Sequence, residues 1–192
     1  MTQAGTESAS SKPGEPAYRT ERHTEAFDIR VYEPYLIAEV IVPGPAESAS
    51  SAGFRLLAGY IFGGNRSAQK LAMTTPVTQA PVTLPMTVPV TQSPDADGFR
   101  VRFAMPPGYT LATLPVPNDP RVRLSEVPAQ RMAVLRYSGR WTATNYAEHL
   151  AELRASLTAA GLTAHGAPSL ARYNAPYVLP FLRRNEVWLP LD

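Results

Sequence analysis

The chain contains no cysteine and only three histidines, His23, His149 and His165. Disulfides, thiolate metal sites and cysteine nucleophiles are thereby excluded. The histidines follow none of the spacings of a metal-binding helix, and neither a Gly-x-Ser-x-Gly elbow nor a His-Glu-x-x-His helix occurs. Gly63-Gly64-Asn65-Arg66-Ser67-Ala68-Gln69-Lys70 suggests a phosphate loop by composition, yet it follows a helical segment and lacks the Walker spacing. What remains is binding chemistry. Arg183 and Arg184 supply planar guanidinium forks suited to carboxylates, either a ligand's or the chain's own Glu186. Glu186, on the terminal strand, would receive a cation or act as a base if it were buried beside a groove. No catalytic residues are expected, and the chain reads as a non-enzymatic binder.

The elements that must position these groups are legible in outline. Residues up to about Pro16 are rich in Ser, Gly, Pro and Glu, which predicts a flexible tail over 1–17. Phe27 to Val42 reads as a strand pair bent at Glu33-Pro34, with Tyr35–Val42 facing the core. A helix is predicted from Ala46 to Phe62, stopped by Gly63-Gly64, with Phe54, Leu57, Ala58 and Ile61 on one face. Two near copies of one phrase follow, Met73-Thr74-Thr75-Pro76-Val77-Thr78 and Met86-Thr87-Val88-Pro89-Val90-Thr91. Their alternation and β-branched residues predict strands, placed by proline at an edge or bulge. Phe99 to Met105 is a further strand. Arg121 to Leu135 then echoes Ile29 to Val42. A second helix from about Asn145, where Asn145-x-x-Glu148 has capping-box character, carries the stripe Tyr146, Leu150, Leu153 and Leu157 and ends at Gly161. Strands near Ser169–Tyr173 and Glu186–Leu191 close the chain. The expected fold is α+β: one domain over 18–192 whose duplicated strand-helix-strand-strand halves, about 18–106 and 119–192, form a distorted antiparallel β-barrel or sheet with two flanking helices.

Bulk properties narrow the class. At 192 residues and 44% hydrophobic content the chain can bury a sizeable core. Eighteen Lys and Arg against sixteen Asp and Glu, with no basic run, argue against a nucleic-acid partner. No apolar run approaches the roughly 20 residues of a membrane span, and Met1-Thr2-Gln3-Ala4-Gly5-Thr6-Glu7 lacks the features of a signal peptide. A soluble, cytoplasmic protein is expected, or a periplasmic one if a leader has been removed.

The twin Thr-Pro-Val phrases, together with Phe99-Arg100-Val101-Arg102-Phe103-Ala104-Met105-Pro106, Arg172-Tyr173-Asn174-x-Pro176 and Arg183-Arg184-Asn185-Glu186-Val187-Trp188, closely resemble the SOUL family of haem-binding proteins from about Tyr18 to Asp192. The resemblance implies a protein that binds, carries or buffers haem or another tetrapyrrole without a covalent bond. It places the ligand in a shallow apolar groove between the first helix and the loop before the last strand. On this sequence the helix residues are Phe54, Leu57, Ala58 and Ile61. The loop residues are Tyr173, Tyr177 and Phe181, with Arg183 and Arg184 able to meet propionates. Val178 stands where some members carry a basic residue. None of the histidines falls on the groove, so the axial ligand is open, with Tyr173 or a methionine as alternatives. Two other readings stand beside this one. The family looks distantly similar to the effector-binding domains of multidrug-sensing regulators, which would make Glu186 the centre of a small-molecule binder or hydrolase. The apolar loop would equally suit a protein-interaction module, whose partners the sequence does not name.

Overall fold

The computed structural model describes residues 14–67 and 81–192, so the first Met-Thr-Thr-Pro-Val-Thr copy lies outside the described residues. In chain order the elements are β1 Tyr18–His23, β2 Asp28–Tyr32, β3 Tyr35–Val42, α1 Ala46–Ile61, β4 Asn65–Arg66, β5 Val90–Asp95, β6 Gly98–Ala104, β7 Val116–Pro117, β8 Arg123–Val127, β9 Gln130–Tyr137, α2 Ala143–Ala159, β10 Ser169–Arg172 and β11 Asn185–Leu191, with one 3-10 turn at Pro180–Leu182.

These elements make an α+β fold of two compact units. One is Tyr35–Val127; the other joins Pro128–Asp192 to the chain up to Pro34. Both carry the same antiparallel order, β8-β3-β6-β5 with α1 in the first and β2-β9-β11-β10 with α2 in the second, where β1 adds outside β2. The duplicated plan is therefore β3-α1-β5-β6 and β9-α2-β10-β11. The strand before each plan is exchanged: β2 pairs with β9, and β8 pairs with β3. The strand pair expected over Phe27–Val42 does not form, and the linear halves 18–106 and 119–192 are not the compact units. The reason lies at Pro34 and Pro128, which stand where the chain passes between units. Without an N–H, proline cannot continue a ladder through so short a bend.

Helix α1 buries Ala49, Ser50, Gly53, Leu57, Tyr60 and Ile61. Its face is rotated from the expected stripe, leaving Phe54 38% exposed and Ala58 half-buried. Gly53 lies on the buried face. A Cβ there would stand 2.6 Å from Val101 Cγ2, so only glycine lets the helix close onto β6. The core around it gathers Val40, Leu57, Ile61, Leu84, Val101, Phe103 and Leu114. Helix α2 starts earlier than expected, because Thr142 rather than Asn145 is the cap: Asn145 N–H donates to Thr142 Oγ1 at 3.2 Å. The Asn145 side chain instead donates to the carbonyls of Ser138 and Arg140. Leu153 and Leu157 are buried as expected, with Tyr146 and Leu150 packed beside them.

Two further differences concern strands. The second Met-Thr-Val-Pro-Val-Thr copy joins the sheet only from Val90, opposite Phe103, because Pro89 has no N–H to give. The expected tail is tied down from its described start. Glu33 N–H donates to Ala17 O, and Tyr18–His23 forms the charged edge strand β1, whose lack of apolar alternation hid it. No helix among the described residues is long and apolar enough to cross a membrane.

Gly53 and Gly59 of the same helix yield opposite predictions. A Cβ at Gly59 meets nothing within 4 Å. Gly53→Ala should destabilise the protein by about 1–3 kcal/mol through overpacking against Val101, whereas Gly59→Ala should stabilise it by about 0.5–1 kcal/mol through helix propensity. Thermal melts of the two variants check both signs.

Candidate functional site

Strand β11 runs between β9 and β10, and from Asn185 to Leu189 every residue is buried. Glu186 in this run is 0% exposed. Its charge is met on all sides. Arg30 Nη1, from β2, donates to both carboxylate oxygens at 3.1 and 3.2 Å, and Arg184 Nε donates to Oε1 at 2.9 Å. Tyr173 Oη donates to Oε2 at 2.7 Å, and Trp188 Nε1 donates to the same oxygen at 2.8 Å. The arginines are held in turn. Arg30 pairs with Asp28 at 2.7 Å and lies 4.7 Å over the Tyr18 ring, while Arg184 pairs with Glu15 at 2.8 Å and lies 3.6 Å over the Tyr173 ring.

The electrostatics follow from this packing. Burial pushes the Glu186 carboxyl up, but Arg30, Arg184 and the hydrogen bonds from Tyr173 and Trp188 outweigh it and hold the group below the usual carboxylate range. Burial and the neighbouring Glu186 charge push the Tyr173 phenol well up. The Tyr173 hydroxyl is thus engaged with Glu186 inside the sheet. Both Glu186 carboxylate oxygens accept from donors inside the sheet: Arg30 Nη1 on both, Arg184 Nε on Oε1, and Tyr173 Oη and Trp188 Nε1 on Oε2. The structural ion pair with Arg184 is the reading that holds.

The loop from Tyr173 to Arg184 turns the rest of its apolar content outward. Tyr177 is 89% exposed, Phe181 69%, Leu182 64% and Leu179 55%. Arg183 braces the loop from within: its Nε donates to Val178 O and its Nη2 to Pro176 O, both at 2.7 Å, and its guanidinium lies 4.3 Å over the Trp141 ring. Gly139 N–H donates to Pro180 O, and Trp141 Nε1 to Asn185 Oδ1. Of the predicted loop residues, Tyr177 and Phe181 are free to meet a ligand, Tyr173 and Arg184 serve Glu186, and Arg183 serves the loop backbone.

On α1, Leu57 and Ile61 are core residues of the Tyr35–Val127 unit. Phe54 is half exposed, edge-on to Phe103 with centroids 5.4 Å apart. Each histidine has a partner. His23 Nδ1 lies 2.6 Å from Asp28 Oδ1, His165 Nε2 lies 2.5 Å from Asp192 Oδ2, and His149 stacks on Tyr137 with its Nδ1 2.7 Å from Asn145 O. No group of three His, Asp or Glu able to hold a metal ion occurs among the described residues. Sequence reasoning missed Arg30, Trp141 and Trp188. Arg30 and Glu186 stand 156 positions apart, and nothing local in either strand announces the pairing.

Comparison with known proteins gives the context. The family model described as SOUL heme-binding protein matches residues 14–190. Heme-binding protein 1 of Xenopus laevis is 26% identical over 176 residues, covering 91% of this chain and 88% of that protein. Its namesake in Xenopus tropicalis is 27% identical over the same span. Among solved structures, the EcmrR C-terminal domain superposes with a TM-score of 0.55 at 13% identity, covering 91% of this chain and 98% of that one. A hydrolase from Listeria innocua superposes with a TM-score of 0.56 at 12% identity, covering 90% and 94%. At such identities the two structures share the fold alone.

The folded pKa of Glu186 lies below its unfolded value, so its stabilising contribution is complete above about pH 4.3 and is lost as the pH falls through the folded value. Glu186→Gln removes the carboxylate shared by Arg30 and Arg184, leaving each guanidinium with only its second partner, Asp28 or Glu15. It should cost about 3–5 kcal/mol at neutral pH, and the difference from wild type should shrink as the pH falls below about 4. Urea unfolding at both pH values measures this.

Proposed function

The chain belongs to the SOUL haem-binding protein family, and on that premise we propose that it binds haem or a related tetrapyrrole non-covalently against the exposed apolar surface of its 173–184 loop, to carry or buffer it. The carrying observation is that surface. Tyr177 and Phe181 stand in solvent on a loop already fixed by Arg183, so a flat apolar ring can gain contact area at little ordering cost. On α1, within its own unit, Phe54 and Ala58 keep some exposed surface, whereas Leu57 and Ile61 lie in the core. Arg183 keeps Nη1 for a propionate. The absence of cysteine supports non-covalent attachment. A role without catalysis is consistent with the saturated Glu186. The same saturation speaks against an effector-type pocket or hydrolase centre on that residue.

Burial of the ring, rather than axial ligation by histidine, should supply most of the affinity. Haemin titrations followed at the Soret band test this. Phe181→Ala and Tyr177→Ala should each weaken binding by about 1–3 kcal/mol, and unchanged affinity in both would remove the loop from the site. Replacing His23, His149 and His165 together by Ala should leave most of the affinity. Loss of the Soret shift in that triple variant would reinstate a histidine ligand.

A further inference from the structure

The loop tip offers more than a wall for a single ring. Four large apolar side chains, Tyr177, Leu179, Phe181 and Leu182, project within six residues, each more than half exposed. The tip is held by hydrogen bonds: besides the Arg183 brace, Leu182 N–H donates to Leu179 O at 2.9 Å and Gly139 N–H to Pro180 O at 2.9 Å. A side chain 89% exposed, as Tyr177 is, stands clear of its surroundings, so this is a projecting wedge rather than a groove.

Around the wedge lie cations without carboxylate partners. Arg140 is exposed and follows directly on Gly139, and its side chain makes no hydrogen bond or ion pair among the described residues. Arg183 gives its hydrogen bonds to backbone carbonyls only. Helix α2 begins close by at Ala143, its frame joined to this region through Asn145 and the Arg140 carbonyl, so its amino end adds positive potential. The carboxylate in the strand that follows, Glu186, is neutralised by Arg30 and Arg184. Glu148, a turn into α2, is the acidic group on that helix closest to its start.

An apolar wedge with a cationic collar is complementary to an anionic bilayer surface. Apolar side chains enter the boundary between headgroups and acyl chains, tyrosine sits at that boundary, and arginines reach lipid phosphates. We propose that this tip docks the haem-free protein onto anionic membranes. The proposal rests on the haem reading in one respect: a macrocycle held on Tyr177 and Phe181 covers part of the wedge, so loading with haemin releases the protein from lipid. Docking of the haem-free form does not depend on that reading.

Co-sedimentation of the haem-free chain with large vesicles tests it, comparing phosphatidylcholine alone with phosphatidylcholine plus phosphatidylglycerol. The wild type should sediment with the anionic vesicles and much less with the neutral ones. Leu182→Ser should weaken partitioning about tenfold. Arg140→Gln should weaken it about fivefold while leaving haemin affinity unchanged. A wild type that binds haemin but ignores anionic vesicles overturns docking, as does vesicle binding indifferent to both substitutions. Sedimentation velocity showing a dimer that Leu182→Ser splits would assign the tip to a second copy instead. Docking that persists after saturation with haemin would overturn the shared use of the tip. A chain that binds vesicles but not haemin would overturn the haem reading and leave docking standing.

Discussion

A single negative charge in the middle of a sheet organises the unit formed by Pro128–Asp192 and the chain up to Pro34. Glu186 sits on β11 with no exposure to water, a position that costs several kcal/mol unless the charge is paired and hydrogen-bonded. Everything near it answers that cost. Arg30 is drawn inward on β2, Arg184 folds back from the end of the loop, and Tyr173 and Trp188 aim their donors at Oε2. Tyr18 and Tyr32 then cover the guanidinium of Arg30 and the indole of Trp188. Even Glu15, at the start of the described chain, is placed by its pair with Arg184.

This constraint decides where ligand chemistry can occur in that unit. Glu186 is 0% exposed and both its oxygens accept hydrogen bonds from within the unit, so the centre of the sheet is closed to solvent. The loop between β10 and β11 consequently divides its residues. Those whose side chains reach inward, Tyr173 and Arg184, complete the ion cluster, and those at its tip are pushed outward with no internal partner. The unit formed by Tyr35–Val127 solves the same topology without an ion. Its buried polar residues among those described, Ser50, Asn65, Thr87 and Gln92, carry no charge, and it relies on Gly53 to bring α1 against Val101.

Much of this fold was legible. Both helices, the strand-helix-strand-strand succession of the duplicated plan along the chain and the stops at Gly63 and Gly161 follow from periodicity and glycine placement, and α1 ends within one residue of the expected position. Other features depend on contacts that periodicity does not carry. The exchange of β2 and β8 turns on two prolines that equally suit tight bends. The cap of α2 passed to Thr142 because Asn145 had a better use for its amide, joining the carbonyls of Ser138 and Arg140. At the site, the apolar and aromatic excess of the 173–184 loop was visible in composition, but which residues face out was not. That division is set by Glu186, and the partner of Glu186 across the sheet lies far away in sequence.

The two tryptophans separate the possible sites of ligand binding. Trp188 donates to Glu186 inside the sheet, whereas Trp141 lies beneath Arg183 in the frame of the loop. Their indole N–H resonances in a ¹⁵N-correlated NMR spectrum can be followed during titration with diamagnetic zinc protoporphyrin. If the ligand rests on the loop and the ion cluster stays closed, the Trp141 resonance shifts and the Trp188 resonance stays in place. A shift of Trp188 with Trp141 unmoved would mean that the ligand enters at Glu186, contradicting the closed centre on which the rest depends.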